Sequence, residues 1–195
     1  MKPIITHLGI AFFFYFFIGC EDPLYNSTSN NHFRVGGKTT VISSAALVKL
    51  SGNNLLNDMK ALLLASDGIT FTAKDEKALQ IKGKGQLLGF IIHSNSTNDL
   101  TNGDHYVNLR PPFKEGDIAI GFYTMNWDES KGIVFFEKTI GPSLLAGKVT
   151  VLQKKDVISL SFNFTDEDQN IVSGVYNGPL QKNLIYKTDH IDLEN

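Results

Sequence analysis

Apolar and polar residues alternate along most of this chain, most clearly over residues 147–178. Val149 and Val151 alternate with Lys148 and Thr150, and Lys154-Lys155-Asp156 then marks a turn. Ile158, Leu160, Phe162 and Phe164 share one face, with Val157, Ser159, Ser161 and Asn163 on the other. Asp166–Asn170 marks a second turn, and Ile171–Tyr176 returns. A period of two sends successive side chains to opposite sides of a strand, so this segment predicts a three-stranded antiparallel meander with one apolar face.

The same pattern predicts strands over Thr40–Lys49, Lys60–Ser66, Ile69–Thr72, Leu79–Lys82, Leu87–His93, Tyr106–Leu109, Ile118–Met125 and Ile133–Lys138. About ten short strands parted by Gly, Asn and Asp clusters predict an all-β domain, a single antiparallel β-sandwich or barrel of 8–10 strands. A calycin- or lipocalin-like closed barrel is the alternative. Leu87, Leu88, Phe90, Ile91 and Ile92 are apolar on both faces, which predicts a central or covered strand. Ala45–Leu50 and Leu55–Leu64 are ambiguous, because Leu55-Leu56, Met59 and Leu62-Leu63 also fit a short amphipathic helix. Asp67-Gly68, a hairpin-turn pair, favours strand for Lys60–Ser66.

Residues 1–19 break the alternation. Lys2 supplies a positive start, Leu8–Ile18 an apolar run of eleven residues, and Gly19 a small residue before Cys20. That is the layout of a secretory signal, and the run is shorter than the ~20 residues a membrane-spanning helix needs. Phe17-Ile18-Gly19-Cys20 resembles the bacterial lipobox. The resemblance implies cleavage between Gly19 and Cys20, a diacylglyceryl group on the Cys20 thiol and an acyl chain on its amine, although Phe17 stands where Leu is usual. An ordinary signal peptide cut nearby and an uncleaved anchor are the alternatives. The domains expected are therefore a signal peptide (1–19), a lipidated cysteine with a flexible polar tether (20–38) and an all-β domain (39–195).

Composition narrows the chemistry. A net charge of −2 with scattered lysines carries no basic stripe for nucleic acid. Cys20 is the single cysteine, so neither an internal disulfide nor a thiolate metal cluster is available. His32, His93, His105 and His190 have no metal-motif spacing. No cofactor is expected beyond the covalent lipid on Cys20. The Asn-x-Ser/Thr triplets at Asn26, Asn95 and Asn163 are taken as chance behind a bacterial leader.

The layout resembles small Bacteroidetes-type lipoproteins with one all-β domain of unassigned function. The residues that carry the likeness are Glu21-Asp22 after the cysteine, Leu100-x-x-Gly103-x-x-Tyr106, Ala146-Gly147-Lys148-Val149, the acidic turn Asp166–Asp168, and Gly174-Val175-Tyr176-Asn177-Gly178. It implies an outer-membrane, lipid-anchored location at the cell surface or periplasmic face.

Candidate chemistry is sparse. Asp166-Glu167-Asp168-Gln169-Asn170 spaces carboxylates like a calcium loop, but Ile171 and Asn177 stand where an EF-hand needs Gly and Glu, so a turn is expected. Gly83-Lys84-Gly85-Gln86 lacks the Ser/Thr and helix of a phosphate loop and predicts a tight turn with positive φ. Asp104-His105 and His93 are the candidates for general base, without an evident nucleophile. Tyr123, Asn126, Trp127 and Asp128 are the ligand candidates, with the single Trp in a loop beside amide and carboxylate; the alternative folds Trp127 back onto the sandwich edge. Pro111-Pro112-Phe113 is a second exposed-aromatic candidate. The functional expectation is a lipid-anchored, non-enzymatic binding or structural module for glycan or protein ligands. A carrier of a small lipophilic molecule and a hydrolase are the alternatives.

Overall fold

The computed structural model describes residues 31–52, 58–74, 77–96, 99–131 and 141–187. The leader, Cys20, most of the tether, Leu55-Leu56 and the expected strand Ile133–Lys138 lie outside the described residues. Among those described there are ten strands: β1 (His32–Val35), β2 (Lys38–Ser51), β3 (Met59–Ser66), β4 (Ile69–Lys74), β5 (Ala78–His93), β6 (Gly103–Tyr106), β7 (Ile118–Asp128), β8 (Leu144–Lys154), β9 (Val157–Asp166) and β10 (Ile171–Lys187). A 3-10 turn, Glu129–Lys131, follows β7. The strands form one sheet in the order β4-β5-β3-β2-β1-β10-β9-β8-β6, with β7 on β5. The fold is all-β and its pairing mainly antiparallel; β10 is parallel to β2 where they meet after Pro179.

The expected meander is β8-β9-β10. Its register aligns Val149 with Phe162 and Gly174, and Val151 with Leu160 and Tyr176, so the apolar residues share the inner face. Tyr176 is buried and donates its hydroxyl to Pro179 O at 2.8 Å, and that burial raises its pKa to about 12. Gly174 leaves room for β1: a Cβ there would lie 2.2 Å from His32 O and 2.6 Å from Phe162.

β2 and β10 are long enough to serve two parts of the sheet. Their first halves flank β1, and their second halves pair with each other, so the sheet folds over. The main core lies inside this fold, with Phe33, Leu62, Leu64, Val149 and Val172 around a group of phenyl rings. Phe90 sits 5.1 Å from Phe164 and 5.7 Å from Phe162, centroid to centroid, filling space that a carrier would need open. Bridges Val107↔Ile118 and Phe122↔Ser143 link the β6–β8 margin to β7.

A second core occupies the reverse face of β3 and β5, built from Val48, Ala61, Leu63, Leu87, Ile91 and Phe122 among others. β3 is consequently buried at all eight residues, which explains why its sequence shows no alternation and mimics a helix. It is a strand, as the Asp67-Gly68 turn suggested.

Three expectations on the chain's course need correction. First, β1 lies within the segment read as polar tether: Gly36-Gly37 turns a hairpin between β1 and β2, and Phe33 is fully buried. The ordered domain therefore starts ahead of residue 39. Second, Leu79–Lys82 and Leu87–His93 are one strand, β5, and Gly83–Gln86 is a bend inside it rather than a turn. Gly83 has φ +95°, and a Cβ there would lie 1.9 Å from Gly68 O. Ser66 Oγ accepts the Gln86 N–H at 2.8 Å across this irregular step. The bend swings the β4–β5 hairpin until Ala78 pairs with Ile185 of β10. Third, the strand placed at Tyr106–Leu109 is β6, Gly103–Tyr106. His105 points inward opposite Val149, and Asn108 then turns the chain by donating to Asp117 Oδ2 at 2.7 Å.

Candidate functional site

Asn126, Trp127 and Asp128 line an open cleft of about 430 Å³ where the end of β7 meets the β5 bend, together with Lys84, Gly85, Gln86 and Met125. The cleft arises from irregular pairing, since the β5–β7 register shifts between Gly85 and Leu87. Lys84 Nζ stands 2.7 Å from Asp128 Oδ2. That hydrogen bond from Lys84, with further bonds from Ser130, draws the Asp128 carboxyl down to about 2. The pair sits at the surface and contributes little to stability. Gln86 Nε2 approaches Met125 O at 3.4 Å, and Glu129 accepts the Gly83 N–H at 2.9 Å.

Trp127 is in strand β7, not in a loop, and only 5 % of it is exposed. Its ring belongs to the reverse-face core, as the fold-back alternative had it, and its indole N–H has no acceptor among the described residues. Tyr123 is not part of the cleft. It belongs to the main core, and its hydroxyl donates to Asp166 Oδ2 at 2.7 Å. The cleft thus unites three of the four ligand candidates. Comparison with protein-family models, with curated proteins and with solved structures finds no match to the chain.

The Asp166–Asn170 turn is organised from within. The buried Asp166 carboxylate accepts Asp168 N at 2.9 Å, Asn170 N at 2.7 Å, Asn170 Nδ2 at 3.1 Å and the Tyr123 hydroxyl. Burial pushes its pKa up, but the donors from Tyr123, Asn170 and Asp168 outweigh that and hold it below the ordinary range. Tyr123 responds oppositely, its pKa raised first by burial and then by the bond to Asp166.

His105 is buried between two backbone carbonyls, with Nδ1 2.9 Å from Gly116 O and Nε2 2.7 Å from Thr101 O. His93 Nδ1 is buried without a partner among the described residues. Neither ring makes a described hydrogen bond to a carboxylate or hydroxyl, the geometry a general base would require. Asp104 faces away from His105 and accepts from Lys148 at 2.5 Å and Thr150 at 2.5 Å. Phe113 is half-buried and packs against the reverse-face core.

A second cavity escapes sequence reading: three lysines from separate elements, Lys49, Lys60 and Lys77, line it together with Leu47 of the main core and Leu184 of the reverse-face core. The only local hint is Lys60 itself, a cation opening the apolar run Ala61–Ala65.

Proposed function

We propose that this chain is a bacterial lipoprotein, held in the outer membrane by lipid on Cys20, whose β-domain acts as a non-enzymatic binding module. The observation that carries the anchor is the sole cysteine standing between an eleven-residue apolar run and two acids. Acylation leaves no free thiol in an oxidising envelope, and two or three acyl chains at ~0.8 kcal/mol per buried methylene give near-permanent attachment. Eleven residues separate Cys20 from β1. Fully extended they span about 40 Å, so the domain stays close to its bilayer.

The cleft at Asn126–Asp128 suits a polyhydroxylated ligand. It offers an amide, a carboxylate and an ammonium around a shallow basin. Two experiments separate the parts of this proposal. Cys20→Ser should shift the protein from the membrane to the soluble fraction, and unchanged fractionation argues against the anchor. Glycan-array binding should be lost in Asn126→Ala combined with Asp128→Ala. Binding that survives the double substitution removes the cleft from consideration.

A further inference from the structure

The cavity at Lys49, Lys60 and Lys77 measures about 130 Å³ and is walled on its other sides by Asn183, Leu47 and Leu184. It lies where β10 is irregular. The β2–β10 register advances two residues on β2 but three on β10 between Gln181 and Leu184, and Asn183 takes up the extra residue at φ +64°. Such a bulge re-aims the chain and recurs beside binding sites.

Among the described residues, no carboxylate lines this cavity. Lys49 and Lys60 are direct cross-strand partners, an arrangement of like charges that costs stability. Lys60 is buried, and its ammonium is held by the carbonyls of Ser94 at 3.1 Å and of Ser96. Burial lowers its pKa; Glu115, Asp99 and Asp58 oppose that, and Lys49 adds to it. Those carboxylates are largely committed elsewhere: Glu115 accepts from Asn95 N and Thr101 Oγ1, and Asp99 pairs with Lys182. Lys49 and Lys77 form no ion pair among the described residues, although Lys84, Lys148 and Lys182 all do. Lys49 and Lys77 therefore line a concave site beside leucine side chains with no ion-pair partner among the described residues.

We propose that this cavity binds a short aliphatic carboxylate, its charged end between Lys49 and Lys77 and its chain against Leu47 and Leu184. Size sets the class, because an apolar cavity of about 150 Å³ accommodates benzene, so this one takes an anion of about six heavy atoms. The apolar wall distinguishes it from a simple phosphate site, which would need several convergent donors. The inference rests on reading the domain as a binding module, but it concerns a site apart from the Trp127 cleft.

The test is ligand-observed NMR with the full chain in detergent micelles, titrating pentanoate, inorganic phosphate and pentan-1-ol. Pentanoate should bind with Kd on the order of 1 mM, as expected of so small a ligand, and the other two at least tenfold more weakly. Lys49→Met with Lys77→Met should weaken pentanoate at least tenfold. Lys148→Met, which removes the same kind of charge on the outer face, should leave it unchanged. Pentanoate should also protect the Lys49 and Lys77 amines from acetylation, read by mass spectrometry, in the unsubstituted protein. Absence of pentanoate binding at 50 mM (roughly fifty times the expected Kd), equal binding of phosphate, or equal loss in Lys148→Met overturns the proposal. None of these results bears on glycan binding at Asn126–Asp128, so failure of one site is distinguishable from failure of the other.

Discussion

Replacing Tyr123 by Phe removes one oxygen and leaves the packing of the ring almost untouched. That oxygen ties β7 to the β9–β10 turn through the buried Asp166 carboxylate, 2.7 Å away. The other three donors to Asp166 are local to the turn, so Tyr123 is the contact that joins it to the opposite half of the sheet. A hydrogen bond to a charged, buried acceptor is worth about 1.5–3 kcal/mol, and Asp166 would keep its charge with one acceptor site empty. The expected loss is about 2 kcal/mol, read as a fall of roughly 1 M in the urea midpoint at unchanged slope. The pH dependence adds a second criterion. The folded carboxyl titrates below its unfolded value of ~3.9, so its contribution is present above that value and lost as pH falls through the folded one. The Tyr123 hydroxyl, raised in the fold, keeps its proton through pH 9. The gap between Tyr123→Phe and the unsubstituted protein should therefore be flat from pH 5 to 9 and close below about pH 4. A loss under ~0.5 kcal/mol at neutral pH, or a gap that widens in acid, refutes the reasoning.

Three further outcomes follow from the same geometry. Gly83→Ala puts a methyl 1.9 Å from Gly68 O at φ +95° and should cost at least ~2 kcal/mol, measured by thermal unfolding, whereas Gly37→Ala, where a Cβ meets nothing within 4 Å, carries only the positive-φ strain and should cost less. Phe90→Ala opens the ring group with Phe162 and Phe164 and should cost about 3–5 kcal/mol in urea titration. His105→Phe removes both contacts to Gly116 O and Thr101 O, and hydrogen exchange should quicken at residues 99–103 and 114–117 while the β9 amides stay protected.

Where one face of a strand is solvated, the sequence was readable. Ile158, Leu160, Phe162 and Phe164 alternate because β9 separates the core from water, and the turns at Asp156 and Asp166–Asn170 fall where their residues predict. Alternation is lost where a second core covers the sheet, and there the strand was legible only from its turn and its unbroken apolar run. In β3 the reverse-face core takes the positions that would be polar on an exposed strand, so Ala61, Leu63 and Ala65 carry no periodic signal. The same core draws in Trp127, which by neighbouring Asn and Asp looked like a loop aromatic. Gly83 and Gly85 resembled a turn because a bend in a long strand makes the same demand for positive φ and close approach. The lysine cavity was invisible because its members come from three strands and a hairpin tip that only the folded sheet brings together.

The anchor is the claim on which the cellular reading depends, and mass spectrometry of the native protein addresses it most directly. The N-terminal peptide should begin at Cys20 and carry the added mass of a diacylglyceryl group with or without a further acyl chain. A peptide that includes Gly19, or a Cys20 of unmodified mass, contradicts the account.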